Sequence, residues 1–374
     1  MNDGLHAFML GMKRLARAAR LPEASAAIQR AFGGGTAKRP APPRRAAHTP
    51  AGLAEPGDTE PIDDELSIIE DEFADETALR LAEPAPPAVE LGGVFVAGSY
   101  TNEAGTRDYK LYIPAGTHAQ PMPLVVMLHG CKQNPDDFAA GTRMNQLAQA
   151  QACVVLYPGQ SHAVNRLGCW NWFKKEDQQR DLGEPAIVAG MTRHIAAALP
   201  IDARRIYVAG LSAGGAMAAI MAANYPDLYA AVGIHSGLPH AAAYDVISAL
   251  MAMRKGPVVR GGTAPKAERT LVPTIVFHGD RDKTVHPSNA DHVIPGGEAN
   301  GTVTIETAQV DGGHSYTRTL HQDAAGRRDA EHWLVHGSGH AWSGGSNSDS
   351  FTDPLGPDAS AQMLRFFAQH VRQG

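Results

Sequence analysis

One serine, one aspartate and one histidine, far apart along the chain, stand in surroundings that suit acyl transfer. Gly210-Leu211-Ser212-Ala213-Gly214 has the form G-x-S-x-G. On a sharp strand-to-helix turn such a serine is strained and exposed, and a Cβ in place of either glycine would collide with the neighbouring strand or helix. The helix N-terminus behind it favours developing negative charge. A serine hydroxyl is a poor nucleophile at its own pKa, so a base and an orienting carboxylate must accompany it. His278-Gly279-Asp280-Arg281-Asp282 offers two aspartates. Asp282 is the expected orienting group, and Asp280 is expected to hold the loop through turn hydrogen bonds. His336-Gly337-Ser338-Gly339-His340 places His340 in a glycine-rich loop as the expected base, ahead of His336 and His314, which read as packed or loop residues.

The same chemistry needs two backbone N–H groups for the oxyanion, one from the residue after the nucleophile and one from an earlier loop. Ala213 is expected to supply the first. In His129-Gly130-Cys131-Lys132-Gln133, Cys131 stands where the second belongs, acting through its backbone rather than its thiol. Trp170 and Trp172 read either as core aromatics beside a turn or as the apolar wall of a substrate pocket, and His129 joins them as a candidate substrate contact.

Strands and helices must alternate to bring these loops to one edge. Val94 to Tyr100 and Asp108 to Ile113 read as an antiparallel pair around the turn Asn102 to Gly105. Apolar runs at Leu124 to Leu128, Val154 to Tyr157, Ile206 to Ala209, Ala231 to Ile234, Thr274 to Phe277 and Trp333 to Val335 read as buried strands. Helices are expected at about 136–150, 184–199, 213–224, 242–254 and 360–371. Such alternation predicts an α/β fold with a mostly parallel sheet covered on both faces, and the chain order Ser, Asp, His is that of the α/β-hydrolase fold.

The remainder of the chain bounds the function. A net charge of −6 gives no basic field, so nucleic acid is not an expected partner. Three cysteines are too few for a disulfide scaffold and lack the paired spacing of a zinc site, and no metal or organic cofactor is expected. Cys153, within an apolar run, reads as a buried core thiol. No run of 18 apolar residues exists, so neither a membrane span nor a Sec signal peptide is read, which points to the cytoplasm. Residues 1–33 read as an amphipathic helix without an assigned partner, 34–90 as a low-complexity linker, and 91–374 as the catalytic domain.

Taken together, several motifs in order make the chain resemble the polyhydroxybutyrate depolymerase family of esterases, which also contains feruloyl and acetylxylan esterases. They are His129-Gly130-Cys131-x-Gln133, Tyr157-Pro158-x-Gln160, Cys169-Trp170-Asn171-Trp172-Phe173, Gly210 to Gly215, the Asp282 loop, and Gly339-His340-Ala341-Trp342-Ser343-Gly344-Gly345. The resemblance spans roughly residues 92–372. It implies Ser212, Asp282 and His340 as a triad, Cys131 at the oxyanion hole, and hydrolysis of carboxylic esters such as 3-hydroxybutyrate polyester or oligomers, without a cofactor. It also brings an extracellular location into view and makes Cys131 and Cys169 candidates for a disulfide that a reducing compartment would disfavour. A peptidase of the same fold would use the same triad, and a non-catalytic binding protein on the same frame would have no physical need for the complete set.

Overall fold

Val94–Asn102 (β1) and Gly105–Ile113 (β2) form the expected antiparallel pair, in continuous register from Val94 opposite Ile113 to Asn102 opposite Gly105. In this computed structural model the described residues are 92–373, apart from 117, 119, 258–271, 295–300, 324–325, 327 and 348. The helix expected over 1–33 and the linker over 34–90 lie outside them.

The hairpin is the edge of a ten-stranded sheet. From it follow Val154–Pro158 (β4), Met122–Leu128 (β3), Ile201–Leu211 (β5), Ala231–His235 (β6), Thr274–Gly279 (β7) and Arg328–Val335 (β10), six strands with every adjacent pair parallel. Beyond β10 lie Ser315–Gln322 (β9) and Thr302–Gln309 (β8), both antiparallel to their neighbours. The central strands are near-continuous apolar runs because both faces are covered. Alternation then divides them: Leu124, Val126 and Leu128 of β3 face one core, and Val125 and Met127 face the other. The first core is closed by Gly183–Ala198 (α3) and Ala213–Asn224 (α4), and the second by Pro135–Thr142 (α1), Met144–Gln151 (α2) and Ala359–Ala368 (α7). Val246–Lys255 (α5) and Ser288–Val293 (α6) join the first.

Three expectations change. The helix read over 136–150 is two helices, broken where Arg143 adopts φ 53°; its guanidinium reaches the Gly344 carbonyl at 2.5 Å and Asp358 at 3.2 Å. The strand read from Trp333 begins at Arg328. The hairpin of β8 and β9 was not anticipated; β8 is exposed along its whole length, and its only apolar alternation is the short Val303, Ile305 pair.

Candidate active site

Ser212 sits between β5 and α4 at φ 55°, ψ −119°, a backbone conformation that non-glycine residues rarely hold without surrounding support. That support is local. The Ser212 N–H donates to the His235 carbonyl at 2.9 Å, and the Ala216 N–H donates to the Ser212 carbonyl at 2.9 Å. Because α4 is buried from Ala213 to Ala222, its small residues let it lie close against the sheet. A Cβ on Gly210 would meet the Gly214 carbonyl oxygen at 2.3 Å, so the collision expected of the elbow glycines is present.

His340 and Asp282, the expected base and orienting carboxylate, come from loops at adjacent strand ends. Loops after β7 and β10 are laced together: the Asp280 N–H donates to the Val335 carbonyl and the Arg281 N–H to the Ser338 carbonyl, each at 3.0 Å. Asp280 also accepts from the Gly337 N–H at 2.7 Å and meets His336 Nδ1 at 3.0 Å, so it holds two loops rather than one turn. Across this seam His340 Nδ1 lies 2.7 Å from Asp282 Oδ2. Oδ1 of Asp282 accepts from the N–H groups of Thr284 and Val285 at 2.9 and 2.8 Å. Burial alone would raise this carboxyl, but the His340 charge and the hydrogen bonds of His278 and His340 outweigh it and hold the group far below the ordinary carboxylate range. An anionic Asp282 that accepts a hydrogen bond from the Nδ1–H of His340 leaves Nε2 as the basic nitrogen.

The loop after β3 approaches the same serine. A Cβ on Gly130 would lie 3.6 Å from Ser212 Cβ. Gln133 pins this loop, accepting from the Gly130 N–H at 3.0 Å and donating to the Ser350 carbonyl at 3.3 Å. Among the described residues, neither the Cys131 nor the Ala213 backbone N–H has a protein acceptor. Cys131 and Cys169 form a disulfide, with Cα atoms 4.2 Å apart, and Cys153 is a free, buried thiol.

Ser212, Ala213 and the disulfide open on a cleft of about 500 Å3, its open mouth included. Its walls are Trp172 and Phe173 from the loop after β4, Leu250 and Met253 from α5, and Leu238 and Val285 from loops. The structure does not bring Trp170 or His129 to this wall. Trp170 is fully buried and packs behind it on His129, with ring centroids 5.7 Å apart. His129 is equally buried: its Nε2 accepts from the Gln160 N–H at 3.1 Å and its Nδ1 donates to the Gly130 carbonyl at 2.8 Å. Burial pushes its pKa down to about 4, so it serves as a neutral strut.

Sequence reasoning missed the residues that steady the site. His235, at the end of β6, accepts from the Ser343 N–H at 2.9 Å and stacks between Phe277 and Trp342. Burial keeps it neutral, its pKa well below the ordinary value. Glu184, at the start of α3, is buried in an ion pair with Arg107 at 3.3 Å and accepts from the Asn171 N–H and Nδ2 at 2.8 Å each. It thereby anchors the loop that carries Trp172. Asn165, Leu167 and Cys169 follow β4 closely, and their nearness to Trp172 in sequence was the available signal.

The architecture is that of the α/β hydrolases: the acetyl xylan esterase from Aspergillus awamori matches with a TM-score of 0.53 at 18% identity, covering 70% of this chain and 94% of that one, a likeness of fold. Residues 107–312, more than half of the chain, match the family described as Esterase PHB depolymerase, and the chain belongs to that family. Poly(3-hydroxyalkanoate) depolymerase C of Paucimonas lemoignei is 32% identical over 234 residues, covering 58% of this chain and 55% of that protein. Feruloyl esterase B of Neurospora crassa is 31% identical over 142 residues, 38% of this chain and 47% of that protein. The probable acetylxylan esterase A of Aspergillus fumigatus is 26% identical over 203 residues, 50% of this chain and 53% of that protein. The chain spans about half the length of these curated relatives.

Proposed function

We propose that the protein is a serine esterase that hydrolyses carboxylic esters through an acyl-enzyme, with 3-hydroxybutyrate oligomers or polyester as the substrate class. Ser212 Oγ attacks the ester carbonyl carbon while His340 Nε2 takes its proton. The oxyanion is held by the N–H groups of Cys131 and Ala213. When the tetrahedral intermediate collapses, the alcohol leaves with the proton from His340. Water then attacks the acyl-enzyme by the same route and releases the acid. Asp282 fixes the imidazole tautomer and stabilises the imidazolium.

The observation that carries this reading is the 2.7 Å contact between His340 Nδ1 and Asp282 Oδ2, because a buried carboxylate aligned on one imidazole nitrogen is what a general base requires. Ester chemistry is favoured by membership of the family and by the three relatives named above, a poly(3-hydroxyalkanoate) depolymerase, a feruloyl esterase and a probable acetylxylan esterase. The disulfide beside the site favours an oxidising, extracellular setting over the cytoplasm.

Ser212→Ala should lower kcat on a short-chain 4-nitrophenyl ester by about 10⁴-fold or more, with the circular dichroism spectrum unchanged. A folded variant that kept a tenth of the activity would remove Ser212 from the mechanism. Assaying 3-hydroxybutyrate oligomers, methyl ferulate and 4-nitrophenyl acetate side by side ranks the acyl groups, and a kcat/KM highest on methyl ferulate would displace the hydroxybutyrate assignment.

A further inference from the structure

We propose that His278 is a positioning residue for this hydrolysis, acting through Asp282 by tying its carboxylate to the rigid end of β7. The proposal rests on the roles given above to Asp282 and His340. His278 belongs to β7 and is fully buried. Its Nε2 lies 2.8 Å from the Val285 carbonyl oxygen, which can only accept, so this nitrogen carries the hydrogen. The same nitrogen is 3.3 Å from Asp282 Oδ2, the oxygen that His340 meets at 2.7 Å. One N–H is thus shared between the carboxylate and the far end of its own loop.

The Asp282 N–H donates to the Gly279 carbonyl at the end of β7 at 3.3 Å, which holds the backbone, but the other contacts of the carboxylate itself do not provide this anchor. The N–H groups on Oδ1 belong to Thr284 and Val285, members of the same turn, and would move with it. His340 comes from a separate loop. His278 is therefore the contact that joins the carboxylate to the sheet. Moreover, His278 Nδ1 is buried without a hydrogen-bond partner among the described residues. An apolar side chain filling the same space would avoid that unfavourable burial, so packing alone does not account for an imidazole here.

Sharing Oδ2 has an electrostatic consequence. A second donor on that oxygen draws charge away from the His340 bond, so its removal should make the His340 imidazole more basic. The titratable groups around His278 are Asp282 on its own loop, His235 on β6, His332 on β10 and His340 beyond β10.

The test compares His278→Leu with His278→Gln in the full chain, using 4-nitrophenyl butyrate. The leucine variant should lose on the order of 10- to 100-fold in kcat, a cost typical of a misplaced catalytic group, while KM stays within about threefold. The acid limb of its kcat/KM profile should move up by roughly half a pH unit. Glutamine, which restores an N–H donor, should return the limb to the wild-type position and recover most of kcat. If leucine does not fold, His278→Phe takes its place. Wild-type kcat in a folded leucine or phenylalanine variant overturns the proposal. So does an equal loss in the apolar and glutamine variants with lowered melting temperature and an unmoved limb, the signature of packing alone. If Ser212→Ala stayed active and reacted with a fluorophosphonate probe, the underlying mechanism would fall, and this proposal with it.

Discussion

Gly214 lies so close to the end of β3 that a Cβ on it would stand 2.0 Å from the Leu128 carbonyl oxygen and 2.5 Å from that of His129. Both obstacles are backbone, so no side-chain rotation relieves them. This is the close approach that brings the nucleophile's helix beside the loop of Gly130 and Cys131. Gly214→Ala should therefore be destabilised by about 3 kcal/mol or more, as large core overpacking is. Thermal unfolding and soluble yield measure it, and a wild-type melting temperature would mean that the contact relaxes freely.

The disulfide joins the loop after β3, the proposed oxyanion loop, to the wall of the cleft. Reducing it should lower kcat more than it raises KM, because the donor proposed at Cys131 would act on the transition state while apolar walls would also bind the ground state. Stability should fall by roughly 2–4 kcal/mol. Thiol counting under denaturing, non-reducing conditions should find one free thiol, Cys153, in protein purified in air. Three would show that the bond is absent.

Asp177 titrates in an unusual range. Burial and then the nearby Glu184 charge push its carboxyl up to about 7. In the unfolded chain an aspartate titrates near ~3.9. A carboxyl raised in the folded state contributes stability below the unfolded value and loses it as pH rises through the folded value, here between about 4 and 7. Asp177→Asn removes that titration and keeps an oxygen to accept the Glu184 N–H, which Asp177 Oδ1 does at 2.6 Å. Melting temperature should thus decline more steeply with pH in the wild type than in the variant. Parallel curves would contradict the assignment.

Deletion of residues 1–90 should leave a soluble enzyme with unchanged kcat/KM. The described sheet begins at Val94, and the Gly, Pro and charge-rich composition of 34–90 offers little apolar surface to bury. An insoluble product would place part of the core upstream of residue 91.

Local chemistry explains what could be read from the sequence. The elbow around Ser212 was legible because its glycines answer a steric demand within five residues, and the buried strands because both faces are apolar. The hairpin of β8 and β9 was passed over: Val303 and Ile305 alternate with polar residues as in a strand, but the run is short and, in the fold, both side chains stay exposed instead of joining a core. Nor could the cleft be assembled from α5: Leu250 and Met253 have the spacing of any core-facing helix, and only the fold decides that they face Ser212. Trp170 shows the opposite error, an aromatic beside a functional motif that the fold buries behind it. His278 lies four residues before Asp282 at a strand end, a position visible beforehand, but its bond to that carboxylate depends on how the loop folds back.

Strand order also sets a timetable. β10, which leads to His340, is inserted between β7 and β9, whereas β5, which leads to Ser212, lies three sheet positions away and precedes it by most of the C-terminal half of the chain. A nascent polypeptide would expose Ser212 long before His340 is synthesised, and the site is complete only once β10 has docked between β7 and β9. Hydrolytic activity should accordingly be among the last signals to return during refolding, lagging the recovery of secondary structure.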